Sequence, residues 1–144
     1  MEYEKYLKKQ QKQIGSFAGK FMNNSKWFEL FALLSENHEN IQKLLMVDIY
    51  EERQRILDIP SKDKFLDAFH SKGIKDGAYG PIDFKEIRWI EFPGKWSIER
   101  KMRGEILQPF AYQQDLNLIE TLISKVGELE IEKDENSLKV YGYR

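Results

Sequence analysis

Cysteine is absent from this chain of 144 residues, and its absence excludes several kinds of site at once. Without thiols there is no disulfide, no cysteine nucleophile and no cysteine-ligated zinc or iron-sulfur centre. Long apolar runs are also missing, because no stretch approaches the roughly 20 apolar residues that a membrane-spanning helix needs. Residues 1–13 are too polar for the apolar core of a secretory signal. We therefore expect a cytoplasmic protein that does not enter the membrane.

The chain also lacks an excess of charge of either sign. The formal net charge is −1 and the sequence pI is about 6.2, so there is no general electrostatic reason to bind nucleic acid or an anionic membrane. Hydrophobic residues make up 41% of the chain and charged residues 33%, which suits one core with a charged exterior. We predict a basic N-terminal helix or arm over 1–21 and a single α+β domain over 22–144.

Motifs for catalysis, metal binding or cofactor binding are missing as well. His38 and His70 do not have the spacing of metal ligands, and no serine lies in a nucleophile elbow. The glycine-rich loop 73–83 lacks the pattern of a phosphate-binding loop. We therefore expect no catalytic, cofactor-binding or metal-binding residue and no cofactor. One enzymatic alternative stays open, since Asp76 and Asp83 flank this loop and carboxylate pairs support acid-base or magnesium chemistry.

Three segments show helical patterning. Apolar residues at spacings of three and four predict the first helix over 26–36, with Ser25 as its N-cap. The second is predicted over 62–72, with Gly73 as the residue that ends it. The third, over 116–126, has the clearest apolar stripe of the three.

Apolar alternation predicts strands in the rest of the chain. The predicted strands are 43–50, 53–59, 82–93, 95–98 and a C-terminal hairpin with a polar turn at 134–137. We expect strand 95–98 to return antiparallel beside 82–93, which would place Trp96 near Trp89 or Ile90. The predicted fold is α+β, with about three helices packed on a mainly antiparallel sheet that ends in a β-hairpin.

Segment 82–93 changes phase along its length. Ile87 and Trp89 alternate on one phase, whereas Ile90 and Phe92 alternate on the other. A strand with this pattern either has apolar side chains on both faces or contains a bulge between the two phases. We interpret the segment as a central strand and expect Trp89 to lie in the core.

Basic and aromatic residues cluster after the Pro93-Gly94 turn. Trp, Tyr and Arg dominate the energetics of protein interfaces, so the cluster predicts a protein interface. The candidate interface residues are Tyr79, Trp96, Arg100, Lys101 and Arg103. An alternative is weak nucleic-acid binding by the Lys95–Arg103 segment through phosphate neutralisation and base stacking.

Three stretches resemble a family of uncharacterised small bacterial proteins. They are Trp27 with its helix, the segment 84–93 (FKEIRWIEFP) and the C-terminal part that ends in Tyr141-Gly-Tyr143. The resemblance covers roughly 25–143, implies a bacterial origin and supplies no site residues, because its motifs determine the fold. The sequence as a whole predicts a small cytoplasmic protein-binding module, of an accessory or toxin-neutralising (immunity-type) kind.

Overall fold

A computed structural model of the chain describes residues 2–41, 43–50, 54–75, 81–102 and 105–144, and for 96–102 and 105–112 only the backbone. Short 3-10 turns at Lys62–Lys64, Phe84–Glu86 and Ser124–Val126 accompany the main elements. The helices and strands are α1 (Glu2–Gly15), α2 (Asn24–Glu36), β1 (Lys43–Asp48), β2 (Gln54–Asp58), α3 (Phe65–Ala68), β3 (Phe69–His70), β4 (Gly73–Ile74), β5 (Ile82–Asp83), β6 (Ile87–Pro93), β7 (Lys95–Met102), β8 (Glu105–Gln113), α4 (Leu116–Ile123), β9 (Ile131–Lys133) and β10 (Ser137–Tyr141).

A five-stranded antiparallel sheet forms the centre of the molecule. Its strand order is β2-β1-β6-β10-β9, so β6 lies in the middle between β1 and β10. Met46 and Val140 both pair with Ile90, and all three residues are buried. The α+β prediction and the C-terminal hairpin are confirmed. The predicted central strand over 82–93 is too long, because only β6 lies in this sheet, while Ile82–Asp83 pair with β4 in another sheet and Phe84–Glu86 form a 3-10 turn.

A bulge at Arg88 explains the change of phase in β6. Val47 pairs with Trp89 and the adjacent Asp48 pairs with Ile87, so Arg88 is the extra residue. The insertion returns Ile87 to the buried face that Ile90 occupies, as the alternation predicts. Trp89 is left on the opposite face, half-buried, and its ring contacts that of Tyr141 at 5.9 Å. The expectation that Trp89 lies in the core is therefore wrong.

Helices α2 and α4 confirm two of the predicted helices. The buried stripe of α2 contains Trp27, Leu30, Phe31 and Leu34. Its N-cap is Asn23 and not Ser25, because the Asn23 side chain accepts a 2.8 Å hydrogen bond from the Lys26 amide. Asp115 caps α4, and Gly127 ends the following turn with a φ of 137°.

The second predicted helix, over 62–72, is wrong in length. Helix α3 ends at Ala68, and the chain then enters a small antiparallel sheet of order β3-β4-β5. Phe69 is extended and buried, and its ring stacks on Phe31 at 4.9 Å. Gly73 pairs with Asp83 inside this sheet instead of ending a helix. Burial of Phe69 in the aromatic core outweighs the local helical pattern.

Residues 2–21 contact the rest of the chain through a helix and an extended arm. In α1, Gln13 Nε2 donates to the Ile49 carbonyl at 2.9 Å. In the arm, the Gly19 amide donates to the Arg144 carbonyl at 2.9 Å, and the Phe17 ring stacks on Tyr143 at 5.2 Å. With α1, the described residues contain four α-helices, one more than predicted. The division of the chain at residue 21 stays a prediction.

Candidate protein interface

Strands β7 and β8 form a two-stranded sheet of their own, and three of the predicted interface residues lie on it. In the antiparallel register, Trp96 pairs with Tyr112, Arg100 pairs with Leu107, and Lys101 lies next to Arg100 in β7. Neither strand pairs with any other strand in the part of the chain that the structure describes. The hairpin is therefore a separate ribbon with two outer edges.

The expected pairing of strand 95–98 with strand 82–93 is wrong. Strand β7 follows directly after the Gly94 turn, yet its partner is β8. The reason is that β6 already has β1 on one side and β10 on the other, so it has no edge left to pair with β7. Trp96 is accordingly not beside Trp89 or Ile90 in the sheet.

The register of the hairpin contains one irregularity, and it belongs to β8. Ile98 pairs with Phe110, and the next pair is Arg100 with Leu107. Two residues of β8 therefore lie opposite a single residue of β7, which is a β-bulge. Pro109 is one of the two, and it has no amide hydrogen to donate. Strand β7 itself continues without an insertion.

Backbone and amide hydrogen bonds hold the base of the hairpin. The Gln114 amide donates to the Gly94 carbonyl, and Gln114 Nε2 donates to the Pro93 carbonyl, both at 2.8 Å. The Gly94 amide donates to the Asn136 carbonyl at 2.8 Å. Gln114 is only 8% exposed, so its amide is a buried and bonded group at this junction. The hairpin is thus attached firmly to β6 and to the C-terminal turn.

The C-terminal turn beside this junction has its own local order. The Asp134 carboxylate accepts hydrogen bonds from the Asn136 amide at 2.7 Å and from the Ser137 amide at 2.9 Å. These two bonds lower the pKa of Asp134, because they stabilise its charged form. A cleft of about 510 Å³ separates the turn from the start of α4 and includes Lys95 and Lys133 in its lining. Asp115 and Asp134 line it too, but both carboxylates already accept backbone hydrogen bonds.

The five interface candidates divide into two groups. Tyr79 and Arg103 lie outside the described residues. Trp96, Arg100 and Lys101 lie on β7, and the structure gives their backbone positions and pairing. Three of the five candidates are thus brought together on one strand.

The enzymatic alternative depends on the carboxylates of Asp76 and Asp83, and the structure describes only one of them. Asp83 is exposed at the end of β5, whereas Asp76 lies outside the described residues. Among the residues that the structure describes, no three His, Asp or Glu side chains are grouped as metal ligands. Asp83 acts on Tyr6 only as one of several nearby charges.

A second cleft, of about 330 Å³, lies between α1 and the sheet and was not predicted. It is lined by Tyr6, Lys9, Asp48, Tyr50, Arg55, Pro81, Ile82 and Glu86. No sequence motif signals it, because α1 and the 3-10 turn before β6 supply residues that are about 80 positions apart in the chain.

The polar groups of this second cleft interact with one another. Tyr6 hydrogen-bonds to Glu86, and burial together with this bond raises the pKa of the Tyr6 phenol. Arg55 lies 3.9 Å from the Asp48 carboxylate, and Lys9 Nζ lies 4.9 Å from the centre of the Tyr50 ring. A phenol with a raised pKa stays protonated near neutral pH and serves as a hydrogen-bond donor, not as a base. The arrangement joins α1 to the domain.

Comparison of the chain with protein-family models, curated proteins and solved structures finds no match. The resemblance to a family of small bacterial proteins therefore stays a prediction. In the ranges that the structure describes, no helix is long and apolar enough to cross a membrane.

Proposed function

We propose that this chain is a protein-binding module and that its partner binds at the β7–β8 hairpin. The observation that carries the proposal is the separate two-stranded sheet on which Trp96, Arg100 and Lys101 lie. Trp and Arg are among the residue types that contribute most to binding energy at protein interfaces. An accessory or toxin-neutralising role is one form of such binding and stays a prediction.

The limited stability expected of an isolated two-stranded hairpin supports the proposal. Two-stranded hairpins without further packing are marginally stable in water. This one is anchored at its base through Gly94 and Gln114, but neither strand has another strand beside it among the described residues. A partner that packs on the ribbon would stabilise it by adding backbone hydrogen bonds to its strands.

Capture of the partner by the wild-type chain and by its variants, under the same conditions, tests the proposal. The chain is used as bait in cells that express it natively, with amine-reactive crosslinking and mapping of the crosslinks by mass spectrometry. We expect crosslinks from Lys95 and Lys101, and loss of the partner in the double variant Trp96→Ala, Arg100→Ala. Loss of two interface hot spots of about 2 kcal/mol each weakens binding by well over tenfold.

A variant with the same number of changes elsewhere is the control. Lys62 and Lys64 are exposed in the 3-10 turn before α3, away from the hairpin in the chain. The double variant Lys62→Ala, Lys64→Ala should recover the partner as well as the wild-type chain does. Recovery of the same partner by the hairpin variant would refute the proposed interface.

Nucleic acid is the second candidate partner, and the shape of the hairpin favours it. A two-stranded β-ribbon fits the major groove of DNA, and β7 supplies Lys95, Arg100 and Lys101 for phosphate contacts. The net charge of −1 for the whole chain counts against it. Binding to random duplex and single-stranded oligonucleotides that weakens steeply with salt would support this candidate, and no binding at low salt would eliminate it.

A further inference from the structure

The two outer edges of the β7–β8 hairpin differ in regularity, and the difference selects one edge for strand pairing. Strand β7 runs without insertion from Lys95 to Met102, so its outward backbone groups keep the spacing that another strand needs. Strand β8 contains the bulge between Leu107 and Phe110, with Pro109 inside it. Bulges and prolines are features by which edge strands avoid pairing. Of the two edges, that of β7 is therefore the one suited to pair with another strand, and no described strand pairs with it.

The charge of β7 selects the chemistry of the added strand. Its eight residues contain the basic Lys95, Arg100 and Lys101 and a single acidic residue, Glu99. Opposite charges on paired strands stabilise a sheet, whereas like charges destabilise it. Pairing with β7 of a second copy would bring two basic strands together. An acidic strand from another protein is the better match.

We propose that the partner adds an extended, acidic segment as a third strand along β7. This inference rests on the proposed function and specifies the chemistry of the partner. The length of β7, eight residues or about 27 Å, accommodates a segment of similar length. Backbone hydrogen bonds would supply most of the affinity, and carboxylates near positions 100 and 101 would set the register.

Peptide binding to the full-length chain tests the inference. The probes are a fluorescein-labelled peptide of four Thr-Glu repeats and its counterpart with Lys in place of Glu, and the readout is fluorescence anisotropy. We expect the acidic peptide to bind at least tenfold more tightly than the basic one. Equal binding of the two peptides, or no binding of the acidic one, overturns the inference.

Backbone methylation of the acidic peptide separates strand addition from simple charge attraction. Methylating alternate amides blocks one edge of the peptide and leaves the other free, whereas methylating every amide blocks both edges. Strand addition requires that the alternately methylated peptide bind within about threefold of the parent and that the fully methylated peptide lose at least tenfold. Equal affinity of the parent and fully methylated peptides contradicts strand addition.

Charge-reversed variants locate the binding edge. The variant Arg100→Glu, Lys101→Glu should bind the acidic peptide at least tenfold more weakly, while Lys62→Glu, Lys64→Glu, with the same change in net charge, should lose far less. Equal losses in the two variants overturn the assignment to β7. If the acidic peptide fails but the native partner still depends on the hairpin, strand addition is wrong and the proposed function stands. If capture of the partner does not depend on the hairpin, the proposed function is wrong as well.

Discussion

Gly73 and Gly142 lie where a neighbouring backbone carbonyl leaves no space for a side chain. A Cβ atom on Gly73 would overlap the Ile82 carbonyl oxygen, and one on Gly142 would overlap the Ile87 carbonyl oxygen. These carbonyl oxygens belong to the neighbouring strands β5 and β6, so they cannot rotate away as a flexible side chain would. The first glycine of the 73–83 loop therefore serves close strand pairing.

Replacing Gly73 by alanine should destabilise the protein. The added methyl group forces β4 and β5 apart, and overpacking of this kind costs about 1–3 kcal/mol. Gly15→Ala is the matched control, because outside its own helix no atom of the described residues lies within 4 Å of a Cβ at that position, and alanine favours helix. Urea unfolding should show a lower midpoint for Gly73→Ala and an unchanged or slightly higher one for Gly15→Ala. A wild-type midpoint for Gly73→Ala would contradict the close approach of the two strands.

Helix α1 is held on the domain largely by polar side chains. Gln13 bonds to the Ile49 carbonyl, and Tyr6 bonds to Glu86 across the second cleft. Gln10 is only 2% exposed, and its Nε2 atom has no hydrogen-bond partner among the residues that the structure describes. A buried donor without an acceptor costs about 1–3 kcal/mol, so Gln10 weakens the attachment of the helix.

Replacing Gln10 by methionine should stabilise the protein by about 1 kcal/mol. Methionine has a similar volume and removes the unpaired donor without opening a cavity. Gln11→Met is the control, since Gln11 is exposed on the same helix and its replacement removes no buried donor. Chemical denaturation should separate the two variants. A loss of stability in Gln10→Met would show that the amide has a favourable interaction in this position.

The apolar pattern within a segment was sufficient to predict those elements whose buried side chains recur with the period of a helix or a strand. The apolar stripes of α2 and α4 and the change of phase in β6 were readable, because each depends on side chains within one segment. Helix α3 was predicted too long, because its end depends on packing against a distant segment. Phe65 and Phe69 have helical spacing, but Phe69 leaves the helix to join an aromatic cluster with Phe31, which is distant in sequence.

Pairing between distant segments was not predictable. Nothing within residues 82–98 indicates that both sides of β6 are taken by strands from the two ends of the domain. The candidate interface was chosen from the composition of its segment and stays a prediction, whereas the form of that segment as a separate ribbon depends on the occupancy of β6. The second cleft depends in the same way on where α1 packs.

At the scale of the whole molecule, the described residues combine a five-stranded central sheet with a separate hairpin. The buried faces of β1, β6 and β10 pack in a single core with α2 and α4. The hairpin segment 95–113 contains four basic and two acidic residues in a chain of net charge −1, so the rest of the chain is more acidic than the whole. Residues 1–21 also have a basic excess, with five lysines and two glutamates, but among the described residues only the hairpin combines such an excess with strands that pair with no other part of the chain, which suits an acidic partner.

Removing the hairpin should therefore leave the central fold intact. The Gln114 amide lies 2.8 Å from the Gly94 carbonyl, so a Gly-Ser linker in place of 95–113 can join these two residues without strain. We expect the free energy of unfolding to change by less than about 1 kcal/mol, whereas Ile90→Ala, in the fully buried centre of β6, should cost about 2–5 kcal/mol. Thermal and urea unfolding measure both effects, and partner capture should fail with the shortened chain. Loss of cooperative unfolding on removal of the hairpin would mean that the ribbon contributes to the core, and its role as a separate binding element would then be wrong.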